Sequence, residues 1–450
     1  MNNKPLILFQ GPVRSRSGYG DHTRDLITSL IDTNRYDILI APTKWGDCPE
    51  TGLEPNEINN PIIGRILTGN NLQKQPDIFI NCSVPNEWNN IQLIGKFNIG
   101  ITAGIETTVC DPSWIEGCNK MNLVIVPSTH SRNVMLNSTY DRVDSKTQKK
   151  VGDLKCEVPV EVLFEGLDTA IYKQLSSPVE TVDEQLSQIP ESFCFLYVGH
   201  WLSGKLGHDR KDTGMMIKTF CDTFKGNKNA PALILKTSSA TFSIMDRNDM
   251  LARIKGLRDL VGDGCPNVYL IHGDLTDQEM NGLYNHPKVK AHVSFTKGEG
   301  FGRPLLEASV SGKPVIASNW SGHLDFLHPD HSTLLPGKLE PVHKSAQWKG
   351  VINEGSQWFY VNYKNAEKIL RDVFKSYKSY IDGARKQAYL SRTEFSIKKM
   401  NELFVNILDK YVKVEQAPVH AKLNLPKLKK IGGDNTPPKL NLPKLKKIKI

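Results

Sequence analysis

Short apolar runs alternate with stretches of helical periodicity along most of the 450-residue chain. In the first half the runs fall at 6–9, 36–41, 77–81, 97–102, 123–126 and 160–164, each bounded by turn residues. Nearly continuous apolar strands of this length suit a parallel sheet buried on both faces. Between the first two, Leu26, Ile27, Leu30 and Ile31 line one face of a helix for which Asp21 is the expected amino-terminal cap. A polar, proline-bearing stretch at 174–191 reads as a linker. The pattern then repeats, with runs at 193–198, 232–236, 268–271, 291–295 and 315–317. Two long amphipathic helices follow, one carrying Ala366, Leu370 and Val373, the other Ile397, Met400, Phe404, Ile407 and Leu408. The alternation predicts an α/β chain of two doubly wound, Rossmann-like parallel-sheet domains, 1–173 and 190–396, facing each other across a cleft. A helix at 397–413 is expected to pack back on the first domain, with ligand at the carboxyl ends of both sheets.

At 39% hydrophobic and 23% charged residues, the chain is too long for one ordinary core. No apolar run approaches the roughly twenty residues of a membrane-spanning helix, and residues 5–9 are too few for a signal-peptide core. A cytoplasmic protein is expected. The eight cysteines form no C-x-x-C pair and no zinc spacing, which predicts free thiols and no metal cluster.

Charge is unevenly placed. Of the net +9, residues 422–450 supply +8, from nine lysines against Asp434. The nearly neutral remainder excludes a globally basic nucleic-acid binder. Within the basic stretch K-L-N-L-P-K-L-K-K-I occurs twice, at 422–431 and 439–448, interrupted by prolines and glycines. Residues 414–450 are therefore expected to be a disordered basic tail, either simply solvated or a tether for a polyanion or a partner protein.

The richest chemistry lies at 291–323, where a strand runs into T-K-G-E-G-F-G-R-P-L-L-E-A-S-V-S-G-K-P-V-I-A-S-N-W-S-G-H. Gly298, Gly300 and Gly302 permit close backbone approach to a ligand, and Pro304 suits the first turn of a helix whose amino end attracts phosphate. Glu299 and Glu307, eight residues apart, are placed to hold sugar hydroxyls beside those phosphates. Arg210 and Lys211, after the first strand of the second domain, are cations able to bind phosphate, the arginine bidentately and the lysine as a point charge.

Residues 299–318 resemble the E-x7-E region of retaining glycosyltransferases of the GT-B fold, in the large family called glycosyl transferases group 1 (GT4). S-G-Y-G after the first strand, V-P-S-T-H-S-R at 126–132 and L-F-E-G-L-D at 163–168 are similar to further family landmarks, in the family's order. The resemblance spans most of residues 1–413. It implies metal-independent transfer of a sugar from a nucleotide-sugar donor with retained anomeric configuration, and no cofactor. Glu299 would hold donor-sugar hydroxyls and Glu307 the nucleotide ribose, with Gly300, Phe301, Gly302 and Arg303 also on the donor. Arg210 and Lys211 resemble the basic pair that clamps the diphosphate. Many relatives carry a histidine near 99–108 where this chain has none, leaving Glu106 as the nearest polar candidate.

Other chemistries fit less well. Residues 199–205 satisfy G-x-x-x-x-G-K, but Leu206 stands where a P-loop needs Ser or Thr, which excludes an ATPase. Thr23 and Arg303 occupy the third-glycine positions of two dinucleotide-like loops, which argues against nicotinamide binding. The body has no D-x-D and the chain no H-E-x-x-H, so no metal site is expected. Gly18 and Gly20 could bring the first loop near the donor or acceptor, and Arg14 and Arg16 read equally as contacts for an anionic acceptor or as ordinary surface residues. His130 and Asp168 stay ambiguous. The acceptor is unidentified: a glycan, a protein or another hydroxyl, with a hydroxylated DNA base or a silent scaffold as alternatives.

Overall fold

The computed structural model describes residues 4–53, 60–69, 72–201, 204–239 and 241–412. The lysine-rich repeats, and the disorder expected of them, lie outside the described residues.

Two parallel sheets organise the body. The first contains β1 (Leu6–Gly11), β2 (Asp37–Pro42), β3 (Ile78–Cys82), β4 (Phe97–Ile101) and β5 (Leu123–Val126). An antiparallel hairpin, β6 (Tyr140–Val143) and β7 (Lys150–Leu154), precedes its last strand, β8 (Val160–Val162). The six strands run parallel in the order β2-β1-β3-β4-β5-β8. The second sheet holds β9 (Cys194–Val198), β10 (Ala232–Lys236), β11 (Val268–Ile271), β12 (Val289–Ser294), β13 (Val315–Ser318) and β14 (Thr333–Leu335). Its order, β11-β10-β9-β12-β13-β14, is the Rossmann order. An antiparallel pair, β15 (Gly337–Pro341) and β16 (Gln357–Val361), follows.

The central strands are largely apolar because both faces are covered. In β5, Leu123 and Ile125 enter one core while Val124 and Val126 enter another. Phe195 and Tyr197 of β9 likewise face away from Cys194 and Leu196. Helices fill the crossovers: α1 (Gly18–Asp32), α2 (Pro112–Cys118), α3 (Thr129–Asn137), α4 (Glu180–Ser187), α5 (Thr213–Phe224), α6 (Ile244–Val261), α7 (Asp277–Asn285) and α8 (Arg303–Ser309). Three more close the body: α9 (Tyr363–Lys375), α10 (Tyr377–Glu394) and α11 (Ile397–Tyr411). None of the described helices is long and apolar enough to cross a membrane.

Helix α11 returns to the first sheet. Met400, Phe404, Ile407 and Leu408 share a core with Ile7 and Phe9, and burying side chains of that size contributes roughly 2 kcal/mol each. Two local expectations change. Helix α1 starts at Gly18, and its cap is Ser17, whose hydroxyl accepts from the Gly20 amide. Asp21 instead lies in the first turn, where it pairs with Arg24. The polar stretch read as a linker contains α4, because Val182 and Leu186 recur at helical spacing and bury against Leu283 and Tyr284 of the second domain.

Candidate active site

In each sheet the chain reverses its direction of winding once, between β1 and β3 and between β9 and β12, and the carboxyl ends of strands at such a point form a crevice. In the second domain that crevice receives the loops after β9 and β12. The first carries Arg210 and Lys211, the second Glu299. Arg210 Nη1 donates to Glu299 Oε2 at 3.1 Å and to the Gly298 carbonyl at 2.7 Å. Lys211 Nζ donates to Glu299 Oε1 at 2.6 Å. One carboxylate is thus gripped by two cations, one on each oxygen. Glu106, from the loop after β4 of the first domain, brings Oε1 within 3.6 Å of Arg210 Nη2.

Burial and charge oppose each other here. Burial alone would raise the Glu299 pKa, but the Lys211 ammonium and the Arg210 guanidinium override it and hold the carboxyl down at about 2. Burial lowers the Lys211 pKa, with Glu299 opposing and Arg210 adding to the fall. Burial also works against the Arg210 charge, but the carboxylates of Glu106 and Glu299 raise its pKa. The loop is held from behind as well, since the Glu299 amide donates to Ser321 Oγ at 2.9 Å. Ser321 and Asp212 both hold positive φ, at 86° and 51°, without being glycine. Strain of this kind persists where surrounding structure enforces it, which is common around functional sites.

A second charged group lies on α8. Arg303 Nε meets Glu307 Oε1 at 3.2 Å, and Arg303 Nη1 crosses the cleft to Asp25 Oδ2 on α1 at 2.6 Å. Tyr284 Oη donates to Glu307 Oε2 at 3.2 Å. Burial raises the Glu307 pKa to about 7 against the pull of Arg303, and raises that of Glu165, in the loop after β8, to about 8. Asp25 and Glu165 were not legible as site residues, being an ordinary helix acid and one member of a loop landmark.

Two of the glycines also bring the domains together. A Cβ on Gly298 would lie 2.0 Å from the Glu106 carbonyl oxygen, and one on Gly300 2.0 Å from that of Ala103. Their smallness therefore lets the second domain's loop lie on the first domain's backbone. Gly302, at φ +99°, turns the chain into α8. Phe301 does not face the cleft: its ring is buried in the second domain's core, 5.0 Å from Phe326, so only its backbone is free for a ligand. Gly20 packs against the Ser15 carbonyl, whereas Gly18 has open space. Arg16 crosses to Asp274 at 2.8 Å, while Arg14 is exposed. His130, edge-on to Trp320 at 4.7 Å, has its pKa lowered to about 4, chiefly by burial. Asp168 accepts from the Ala170 amide at 2.8 Å, a local turn contact.

A further bridge joins the domains. The loop between β15 and β16 reaches the first domain, where the Gly350 carbonyl accepts from Trp114 Nε1 at 2.8 Å and Asn86 Nδ2 at 3.2 Å, and Val351 packs on the Trp88 and Trp114 core. At its base the Thr108 amide donates to the Gln357 carbonyl at 2.9 Å.

Solved structures share this fold. The chain is similar to HepE from Anabaena, solved in complex with UDP and glucose, at a TM-score of 0.60 over 90% of this chain and 100% of that one, with 14% identity. It is similar to sucrose-phosphate synthase from Thermosynechococcus elongatus at 0.60, over 91% and 99%, with 13% identity. The fold is GT-B. A glycosyltransferase from Rickettsia africae matches at 0.58 over 91% and 99%, also with 13% identity. No family model and no curated protein matches the sequence. In this GT-B chain, the cluster of Arg210, Lys211 and Glu299 therefore lies at the second domain's crevice, and Glu106 meets it from the first.

Proposed function

We propose that the chain is a metal-independent, retaining glycosyltransferase of the glycosyl transferases group 1 kind, moving a sugar from a nucleoside diphosphate donor to an acceptor hydroxyl. One observation carries the reading: Arg210 and Lys211 converge on Glu299 at the carboxyl ends of β9 and β12. The structural likeness to HepE, solved with UDP-glucose, supports the choice of donor class.

The chemistry follows from charge. As the bond between the anomeric carbon and the diphosphate breaks, negative charge grows on the departing oxygen and positive charge on the sugar. Arg210 and Lys211 stabilise the first, the guanidinium through paired donors and the ammonium as a point charge. In the resting cluster Glu299 holds both cations in place, and donor phosphate takes over that partnership. Glu299 is then free to accept from sugar hydroxyls, and Glu307, Tyr284 and Arg303 form the corresponding ribose site. Glu106 shapes the acceptor side. Contact between the two domains at Gly298 and Gly300 excludes water that would otherwise hydrolyse the donor.

The test is release of nucleoside diphosphate from a panel of UDP-, GDP- and ADP-sugars, with glycans, peptides or hydroxymethylated DNA as acceptors. Product with the donor's anomeric configuration, formed in the presence of a chelator, is the expected result. A panel that releases nothing would favour a silent scaffold. DNA binding that weakens with salt and disappears on deleting residues 422–450 would favour the DNA-modifying alternative.

A further inference from the structure

Lys297 precedes Gly298, and its side chain is fully buried. Its ammonium donates to the carbonyls of Gly207 and Asp209, the latter at 3.0 Å, and stands 3.3 Å from Asp212 Oδ1. The rings of Tyr360 and Trp358 lie 4.3 and 5.2 Å from it. Its backbone joins the same network, for the Lys297 amide donates to the Arg210 carbonyl at 2.8 Å and the Phe359 amide to the Lys297 carbonyl at 2.9 Å.

Burying an ammonium costs several kcal/mol unless charge and hydrogen bonds offset it. Here the hydrogen-bonding and ion-pair partners all belong to the 207–212 loop, while the facing rings belong to β16. His208 also stacks on His343 at 3.7 Å, but the Lys297 ammonium joins both ends of the loop at once. Gly207 and Asp212 both take positive φ, at 77° and 51°, and Asp212 holds that conformation with its carboxylate between Lys297 and the Tyr363 hydroxyl, which donates at 2.6 Å. Arg210 and Lys211 sit between these fixed points.

We propose that Lys297 is a positioning residue whose ammonium fixes the 207–212 loop, so that Arg210 and Lys211 meet a nucleoside diphosphate without rearrangement. The inference rests on the glycosyl-transfer reading and adds a residue that never touches the donor.

The test is a double-mutant cycle read by calorimetric titration with UDP, GDP and ADP. Lys297→Met should weaken the tightest of the three by about tenfold or more, and Arg210→Ala by a similar factor. The double variant should bind within about threefold of the weaker single variant, because both changes disable one unit. Should Lys297→Met fail to fold, Lys297→Met with Asp212→Asn removes the ammonium together with its ion-pair partner and carries the same comparison. Affinity unchanged in the folded lysine variant overturns the positioning role, and so do losses that multiply in the double variant. If the wild-type chain binds none of the three, or Arg210→Ala changes nothing, the transferase reading itself falls and this inference falls with it.

Discussion

Gly300 and Ala103 lie so close across the cleft that a Cβ on the glycine would stand 2.0 Å from the alanine carbonyl oxygen. Gly300→Ala should push the domains apart by steric contact alone, since Gly300 is not among the positive-φ glycines. Turnover should fall roughly tenfold or more, because misplacement of this size weakens catalysis. On the proposed function the nucleoside diphosphate binds the second domain alone, so its affinity should change little. Calorimetric titration beside steady-state rates checks the split, and equal loss of both would contradict it.

Glu299 neutralises two half-buried cations. Glu299→Gln should lower transfer by about a hundredfold, in the range seen when one transition-state contact is removed. Nucleoside diphosphate affinity should stay or rise, since Arg210 and Lys211 lose their competitor. The melting temperature should drop, because breaking a buried pair leaves charge uncompensated. Lost nucleotide binding would overturn the assigned role.

Arg210→Ala should reduce transfer by about a hundredfold while circular dichroism stays that of the wild type. Lys211 still neutralises Glu299 in that variant, which protects the fold. An unchanged transfer rate would remove the guanidinium from the mechanism.

Stability should decline as pH rises. Burial lifts the Glu165 carboxyl from 4.5 to about 8, with Arg303 opposing and Asp25 adding. The folded chain then keeps a proton that the unfolded chain releases, so this contribution is full below about pH 4.5 and fades toward pH 8. Glu307 acts in the same sense, toward about 7. Glu165→Gln should therefore melt higher than the wild type near pH 9 and about equally near pH 4. Thermal melts across that range decide it, and identical slopes for both proteins would refute the assignment.

The strands were legible because a sheet covered on both faces needs unbroken apolar runs, and those at 123–126, 232–236 and 268–271 coincide with β5, β10 and β11. The string at 291–323 also pointed to its neighbourhood, since glycines, paired acids and a helix start are local features. What stayed hidden depends on distant partners. Asp25 meets Arg303 across 278 residues, and Lys297 finds its carbonyls some ninety residues upstream, so neither leaves a periodic trace. The β15 and β16 pair escaped because β15 is mostly exposed and polar, lacking the apolar run that marks a buried strand. The direction of the Phe301 ring stayed hidden for a related reason: a motif fixes the backbone path, but only packing decides which way a ring points.

The Gly350 bridge gives the cleft a handedness. It leaves the second sheet beside β14 and buries apolar and hydrogen-bonded contacts, whereas the opposite margin, beside β11, is tied by the partly exposed Arg16–Asp274 pair, which salt screens. The molecule is thus spined like a book on one side and loosely latched on the other. Rising ionic strength should unfasten the latch first, admitting small molecules at the fore-edge while the spine keeps the two covers in register.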